Sequence, residues 1–490
     1  MNRFLIPALA GLMALGTAAE AKTTLTVGES VEPPGLDPTA AAASAIRRVT
    51  LSNLFEGLVR ITEEGEIVPG LAESWTLSDD GLTYTFKLRE GVKFHDGAAF
   101  DCSVAKFSYE RATAPDSTNA QKGLFAPIES VTCPDPQTAV VKLKSVTSNF
   151  LFGMAWGDAV MVHPDSAANN KTNPIGTGPF KFKNWVKGDH VELEKFDGYW
   201  GTPAHLDSVK IKFITDASAA GAALLAGDVD VFAEFLAPEM ISRFKADENL
   251  HVEIGTTAGK VVMSLNNARA PFDDVRVRRA ITHAIDRNVF IEAVNSGNGT
   301  PVGSHYTPVD PGYIDLTGMY PYDVEKAKAL LAEAGVAPGT SFTMSLPPQP
   351  YARRGGEVIA AMLAEVGLNV NLVPIEFAQW LEQVFGNGDY DASIIGHTEA
   401  RDLDVYARDK FYFNYQNPEY KELYKAYTQA TDEAVKLDLV AKLQTKIAED
   451  AASVPLYALP KIGVWNAKVE GLWKNLPLPI NDLTQARWKE

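Results

Sequence analysis

The segment 397–404 of this 490-residue chain, His397-Thr398-Glu399-Ala400-Arg401-Asp402-Leu403-Asp404, concentrates carboxylates, a guanidinium and an imidazole. Both signs of charge are therefore on hand for a zwitterionic ligand, although the same composition describes a solvated surface turn. A second polar stretch, 347–351, offers Gln349 and Tyr351. His397 and Glu399 fall on one side of an extended segment, but two donors without a third read as a hydrogen-bonded pair, so no metal is expected. HExxH, paired CxxC, GxxxxGK, GxGxxG and GxSxG are all absent from the sequence. Zinc, phosphate-loop, dinucleotide and hydrolase-elbow chemistry thus find no support, and the chain is expected to be neither an enzyme nor a cofactor protein. A hydrolase working outside the cytoplasm is the rival reading from another class. Trp156, Trp185, Trp200, Trp380, Tyr351 and Tyr406 are candidates for stacking a ligand, and each equally suits core packing.

The two polar stretches matter because of the elements that carry them. Apolar periodicity gives a strand over 341–346, a helix over 353–366, a strand over 368–375, a helix over 377–385 and a strand over 390–396. Strand, helix, strand, helix, strand implies right-handed crossovers and a parallel sheet. The loops 347–351 and 397–404 leave the carboxyl ends of its strands, where open α/β sheets bind ligands. Upstream, Val277, Ile281, Ala284, Ile285 and Asn288 fall on one helical face, with Asn288 its polar exception. Asp323 is placed to cap a helix with Val324, Ala327, Leu331 and Ala334 on one side and Gly335 as its stop.

The first half reads as strands instead. Leu82, Tyr84, Phe86 and Leu88 alternate with Thr83, Thr85, Lys87 and Arg89, and the same period recurs around Val191 and Leu193 and around Val209, Ile211 and Phe213. Mixed or antiparallel sheets with helices such as 102–111 laid across them follow from this pattern.

Residues 1–21 have the form of an export signal: Arg3 in the n-region, an apolar run over 4–14, and Ala19-Glu20-Ala21 as the cleavage site. No cysteine stands directly after that site and no later run of about 18 apolar residues occurs, so a free periplasmic protein without a membrane anchor is expected. The net charge of -17 is unchanged by cleavage, which removes Arg3 and Glu20, one charge of each sign. Such acidity argues against nucleic acid and anionic membranes as partners. About 470 mature residues suggest two or three domains. Cys102 and Cys133 are the only cysteines. In an oxidising compartment a disulfide between them would close a loop of about 32 residues and stabilise the fold by roughly 3 to 4 kcal/mol, with two free thiols as the alternative.

Several motifs follow one another in a familiar order: Leu54-Phe55-Glu56-Gly57-Leu58, Pro69-Gly70-Leu71-Ala72-Glu73-Ser74-Trp75, Tyr84-Thr85-Phe86-Lys87-Leu88-Arg89, Gly91-Val92-Lys93-Phe94-His95-Asp96-Gly97, Gly176-Thr177-Gly178-Pro179-Phe180, Tyr199-Trp200-Gly201, Leu265-Asn266-Asn267 and Pro271-Phe272-Asp273-Asp274-Val275-Arg276. With them the chain resembles, over nearly all its mature length, the family 5 solute-binding proteins of ABC importers, the dipeptide, oligopeptide and nickel type. The resemblance implies an α/β, two-lobed periplasmic binding protein of cluster C type. Lobe I would span 22–262 with an inserted subdomain at about 47–165 and a return at 465–490, and lobe II would span 266–462. A hinge would close both lobes over the ligand, and the closed monomer would dock on an inner-membrane permease driven by a cytoplasmic ATPase.

Peptide-binding relatives hold the ligand's amino group with an aspartate after the last strand of the βαβ run. The matching stretch here, Thr398 to Arg401, offers Glu399 instead. Dipeptide binders place an arginine in the loop after the first strand, where this chain has Gln349-Pro350-Tyr351, with Arg353 and Arg354 starting the next helix. The resemblance therefore implies that Glu399 accepts an ammonium and Arg401 pairs with a carboxylate, while His397, Asp402, Gln349 and Tyr351 line lobe II. Glu32, Pro34 and Trp156 are the lobe I candidates. The expected ligand is a short or modified peptide, with an opine-like sugar and amino-acid conjugate as the alternative.

Overall fold

The computed structural model describes residues 22–41 and 43–489, so the expected signal lies outside the described residues. No helix among those residues is long and apolar enough to cross a membrane. The alternating segments of the first half form strands with one buried face: Leu25 and Val27 on Thr24–Glu29, Val191 and Leu193 on His190–Lys195, Val209 and Ile211 on Ser208–Phe213. They belong to an 11-stranded mixed sheet that runs through both lobes.

Two long strands, Leu250–Leu265 and Ser453–Asn466, join the lobes and pair antiparallel from Leu250↔Asn466 to Ser264↔Ser453. At one end, Trp465 and Val464 pair with Val231–Phe232, which leads on to Thr24–Glu29 and lobe I. At the other, Lys260 to Leu265 pair with Ala392–His397 of lobe II. Regular pairing lapses between Thr256 and Lys260, where Gly259 stands. This break interrupts the ladder beside the point where the strand passes to its lobe II partner.

In lobe II, Thr340–Leu346 lies between Leu368–Pro374 and Ala392–His397 and is parallel to both, as the alternation of elements anticipates. Helix Pro350–Glu365 makes the first crossover. The second departs from a plain α-helix: Phe377–Gln379 continues as a π-helix, Trp380–Gly386, over which the Phe377 and Phe385 rings stack on Trp380. Another departure concerns Asn288. The helix Val275–Ala284 stops before Asp286, whose carboxylate accepts the backbone N–H groups of Asn288 and Val289 and starts a new helix, Arg287–Asn295. Asn288 therefore faces solvent on the second helix. Asp323 does cap Val324–Glu333, accepting from Lys326 N, and Gly335 beyond it has φ +73°.

A four-stranded antiparallel sheet, in the order Ala72–Leu77, Thr83–Leu88, Thr138–Leu143, Ile128–Asp135, forms the inserted unit. Tyr84, Phe86 and Leu88 point into its core. Helix Cys102–Thr113 packs on it, and a Cys102–Cys133 disulfide ties the helix to the strand Ile128–Asp135. The core of this unit runs from Leu58 to Met161, whereas Val49, Leu51, Leu54 and Phe55 pack with Leu25 and Val27. The short helix Ser44–Thr50, which carries Arg47, thus sits with the main sheet of lobe I.

Candidate functional site

A cavity of about 940 Å³ lies between the lobes. Arg47, Arg48, Trp156, Glu234, Leu236 and Glu239 form its lobe I wall. Thr257, Gly259 and Leu459 contribute the joining strands, and Tyr351, Arg354 and Thr398 the lobe II wall. A separate depression of about 590 Å³ at Asp273, Asp274 and Arg276 belongs to lobe II alone.

Arg47 is 5% exposed, and its Nη1 donates to Asp158 Oδ2 at 3.2 Å. Its guanidinium lies 5.2 Å from the Trp156 ring centroid, and its buried Nε has no acceptor. Burial lowers the Arg47 pKa, and it pushes the Asp158 carboxyl up to about 6 even against the pull of Arg47. Arg48 is ion-paired with Glu234. Across the cavity, the first turn of helix Pro350–Glu365 presents Tyr351 and Arg354. Tyr351 Oη accepts from Gly396 N at 3.0 Å, fixing the ring against the last strand of the βαβ run. Arg354 is exposed and has no carboxylate partner among the described residues. Its neighbour Arg353 is structural, donating to the carbonyls of Pro347 and Ile375 at 3.0 Å each.

Of the nine ligand contacts expected from sequence, Trp156 and Tyr351 line this cavity. In the charged loop only Thr398 does so. Asp402 is buried and bound from three sides: Lys260 Nζ on Oδ1, His305 Nε2 donating to Oδ2 at 3.1 Å, and His397 Nδ1 at 3.6 Å. Burial alone would raise its pKa, but the hydrogen bonds from His305 and His397 and the Lys260 ammonium outweigh it and hold the carboxyl well below the usual range. The Lys260 ammonium also donates to the Glu399 carbonyl at 2.6 Å. Burial pushes the His305 imidazole down to about 4, so it is neutral, and its Nδ1 accepts from Tyr406 Oη at 3.0 Å. His397 Nε2 accepts from Tyr412 Oη at 2.7 Å. His305, His397 and Asp402 lie close enough to hold a metal ion, yet every one of them is already engaged by a protein partner.

Arg401, at φ +57°, turns toward the inserted unit of lobe I. Its Nη2 donates to Gly65 O at 2.8 Å and its guanidinium lies 4.0 Å from the Phe152 ring centroid. The Glu399 side chain is exposed, and Gln349, just before the helix, has a buried Oε1 without a donor. Glu32 accepts from Trp185 Nε1 and Gly188 N at 3.0 Å each, which binds it to a hairpin turn away from the cavity; Pro34 does not line the cavity either. Sequence reasoning missed Arg47, Arg48, Glu234, Glu239 and Arg354. The adjacent pair Arg47-Arg48, following an alanine-rich run, was the available signal.

The recurring motifs meet elsewhere. Glu56 accepts from Thr177 Oγ1 at 2.8 Å, Tyr199 Oη at 2.9 Å and Trp200 Nε1 at 2.8 Å. Side chains at Gly176 and Gly178 would place Cβ 1.9 Å from Leu54 O and 2.4 Å from Asn53 O, so both glycines are required by close backbone approach.

The family model of the bacterial extracellular solute-binding proteins, family 5 (middle), matches residues 66–419. The chain is 30% identical over 419 residues to a dipeptide-binding protein of Escherichia coli K12, covering 79% of this chain and 78% of that one. It is 28% identical over 455 residues to the glutathione-binding protein GsiB of Salmonella paratyphi A, covering 88% of each. Among solved structures, HbpA2 from Haemophilus parasuis superposes with a TM-score of 0.88 at 24% identity, covering 95% of this chain and all of that one. AgaA from A. tumefaciens R10 in complex with agropinic acid gives 0.71 at 25% identity, covering 95% and 99%.

Proposed function

The chain belongs to the bacterial extracellular solute-binding proteins of family 5, the binding components of ABC importers, and on that premise we propose that it captures a short or modified peptide between its lobes. It is a binding protein, as its relatives are, and not an enzyme. In this reading residues 1–21 direct export to the periplasm, and the loaded monomer delivers its solute to an inner-membrane permease driven by a cytoplasmic ATPase. The observation that carries the reading is the cavity itself, with one wall on each lobe and the two joining strands between them. A ligand that touches both walls favours the closed arrangement by its differential contacts, which is how such a cleft retains a solute. An opine-like conjugate is the second reading, favoured by the agropinic acid complex among the structural neighbours.

The test is calorimetry on the protein from Lys22 onward with alanyl-leucine, glutathione and agropinic acid, followed by mass spectrometry of the recovered solute. The expected result is saturable binding of at least one compound, returned unchanged. Appearance of a cleavage product would favour the hydrolase reading, and no heat with any of the three would refute both ligand classes.

A further inference from the structure

The guanidinium and carboxylate groups lining the cleft are Arg47, Arg48, Arg354, Glu234 and Glu239. Arg48 and Glu234 neutralise each other. Two cations retain open valences. Arg47 is buried on the cleft wall, and its one carboxylate contact is Nη1 to Asp158, which leaves Nη2 without a carboxylate. Arg354 approaches from the other lobe with no acidic partner among the described residues.

An ammonium group finds no equivalent welcome. Glu234 is taken by Arg48, and Glu239 is the one carboxylate left on the wall, with no acid among the described residues placed opposite it on lobe II to share an ammonium. Asp402, the buried carboxylate of the loop next to the cleft, already holds the Lys260 ammonium. Lobe II therefore presents a free cation and has an internal lysine on its buried acid.

We propose that the ligand presents a carboxylate to Arg47 of lobe I and to Arg354 of lobe II and requires no free ammonium group, so that this cleft selects for the acid and accepts it with its amine free or blocked. The proposal rests on the reading of the cleft as the solute site and names the charge class it takes. Guanidinium forks suit a carboxylate bidentately, and an anion drawn from both sides links binding to closure. Leu236 and Leu459 beside these groups suit an apolar substituent.

Three probes that differ only at their ends separate the terms: alanyl-leucine, N-acetyl-alanyl-leucine and alanyl-leucine amide, titrated by calorimetry into the full mature chain. The acetylated acid is expected to bind no more than threefold weaker than the free dipeptide, and the amide at least 100-fold weaker than the acetylated acid. Arg354→Gln, at an exposed position, should keep its melting temperature and cut the acid-to-amide ratio at least tenfold. Arg47→Lys, which retains the charge but loses the fork, should do the same. Acid and amide of equal affinity, a free dipeptide more than threefold tighter than its acetylated form, or a ratio that neither variant changes would each overturn the assignment while leaving a peptide-binding cleft in place. Silence with all three probes would overturn it together with the peptide reading.

Discussion

Glu56→Gln tests whether the shared motifs serve the fold or the ligand. The carboxylate accepts from Thr177, Tyr199 and Trp200, all within 2.9 Å, and burial nevertheless pushes its pKa from the ordinary 4.5 up to about 7. Between those values the folded protein keeps a proton that the unfolded chain releases. Stability is therefore fully present below pH 4.5 and falls as pH rises toward 7. The span from 4.5 to about 7, at about 1.36 kcal/mol per pH unit, sets a ceiling of ~3.4 kcal/mol, and the partial exposure of the side chain brings the expectation down to about 2 kcal/mol. Glutamine preserves the shape. Its carbonyl can serve Thr177 and Trp200, and the Tyr199 hydroxyl can rotate to accept from its amide. Urea unfolding from pH 4.5 to 8 should show equal stabilities at the acid end and a variant about 2 kcal/mol more stable at pH 8. Affinity for any probe that binds should stay within twofold, since Glu56 does not line the cleft. Parallel curves for the two proteins, or a variant less stable at pH 8, would refute the reasoning, because the three donors would then be holding an ionised carboxylate.

Two further perturbations probe the framework. Replacing both Cys102 and Cys133 by serine opens a loop of sequence separation 31 and should lower stability by about 3 to 4 kcal/mol in the chain-entropy model; thermal melting checks this, and probe binding below the melting point should persist. Lys260→Met leaves Asp402 buried without its ammonium and should cost about 3 to 5 kcal/mol, part of which Asp402→Asn should restore in the double variant. A double variant no better than the single one would mean that the ion pair is not what Lys260 supplies.

Local pattern was enough for the elements and not for the partners. The alternation at Tyr84, Phe86 and Leu88, the βαβ run of lobe II and the Asp323 cap all depend on neighbours a few residues away, and each is where the sequence puts it. The charged loop 397–404 was equally visible, but its chemistry was decided at a distance. Asp402 is held by Lys260, 142 residues upstream, and Arg401 by Gly65, 336 residues upstream. Nothing in the loop's own composition carries that information. Asn288 misled for a nearer reason: periodicity ran on through Asp286, whose capping side chain breaks one helix and begins the next. The family motifs around Glu56, Gly176 and Trp200 identify the fold so well because they build one buried junction of it. The residues that line the cleft lie elsewhere, at Arg47, Trp156, Tyr351 and Arg354, in stretches with no comparable signature.

The strand Ser453–Asn466 occupies the middle of the 11-stranded sheet although it is nearly the last of the chain. Until it arrives, Val231–Phe232 in lobe I and the joining strand Leu250–Leu265 are left with open edges, and the long antiparallel seam between the joining strands is missing. Pairing over such sequence separations is the slow part of folding. A chain synthesised from its N-terminus therefore cannot complete that seam, or the cleft that it spans, until residues beyond 453 have emerged.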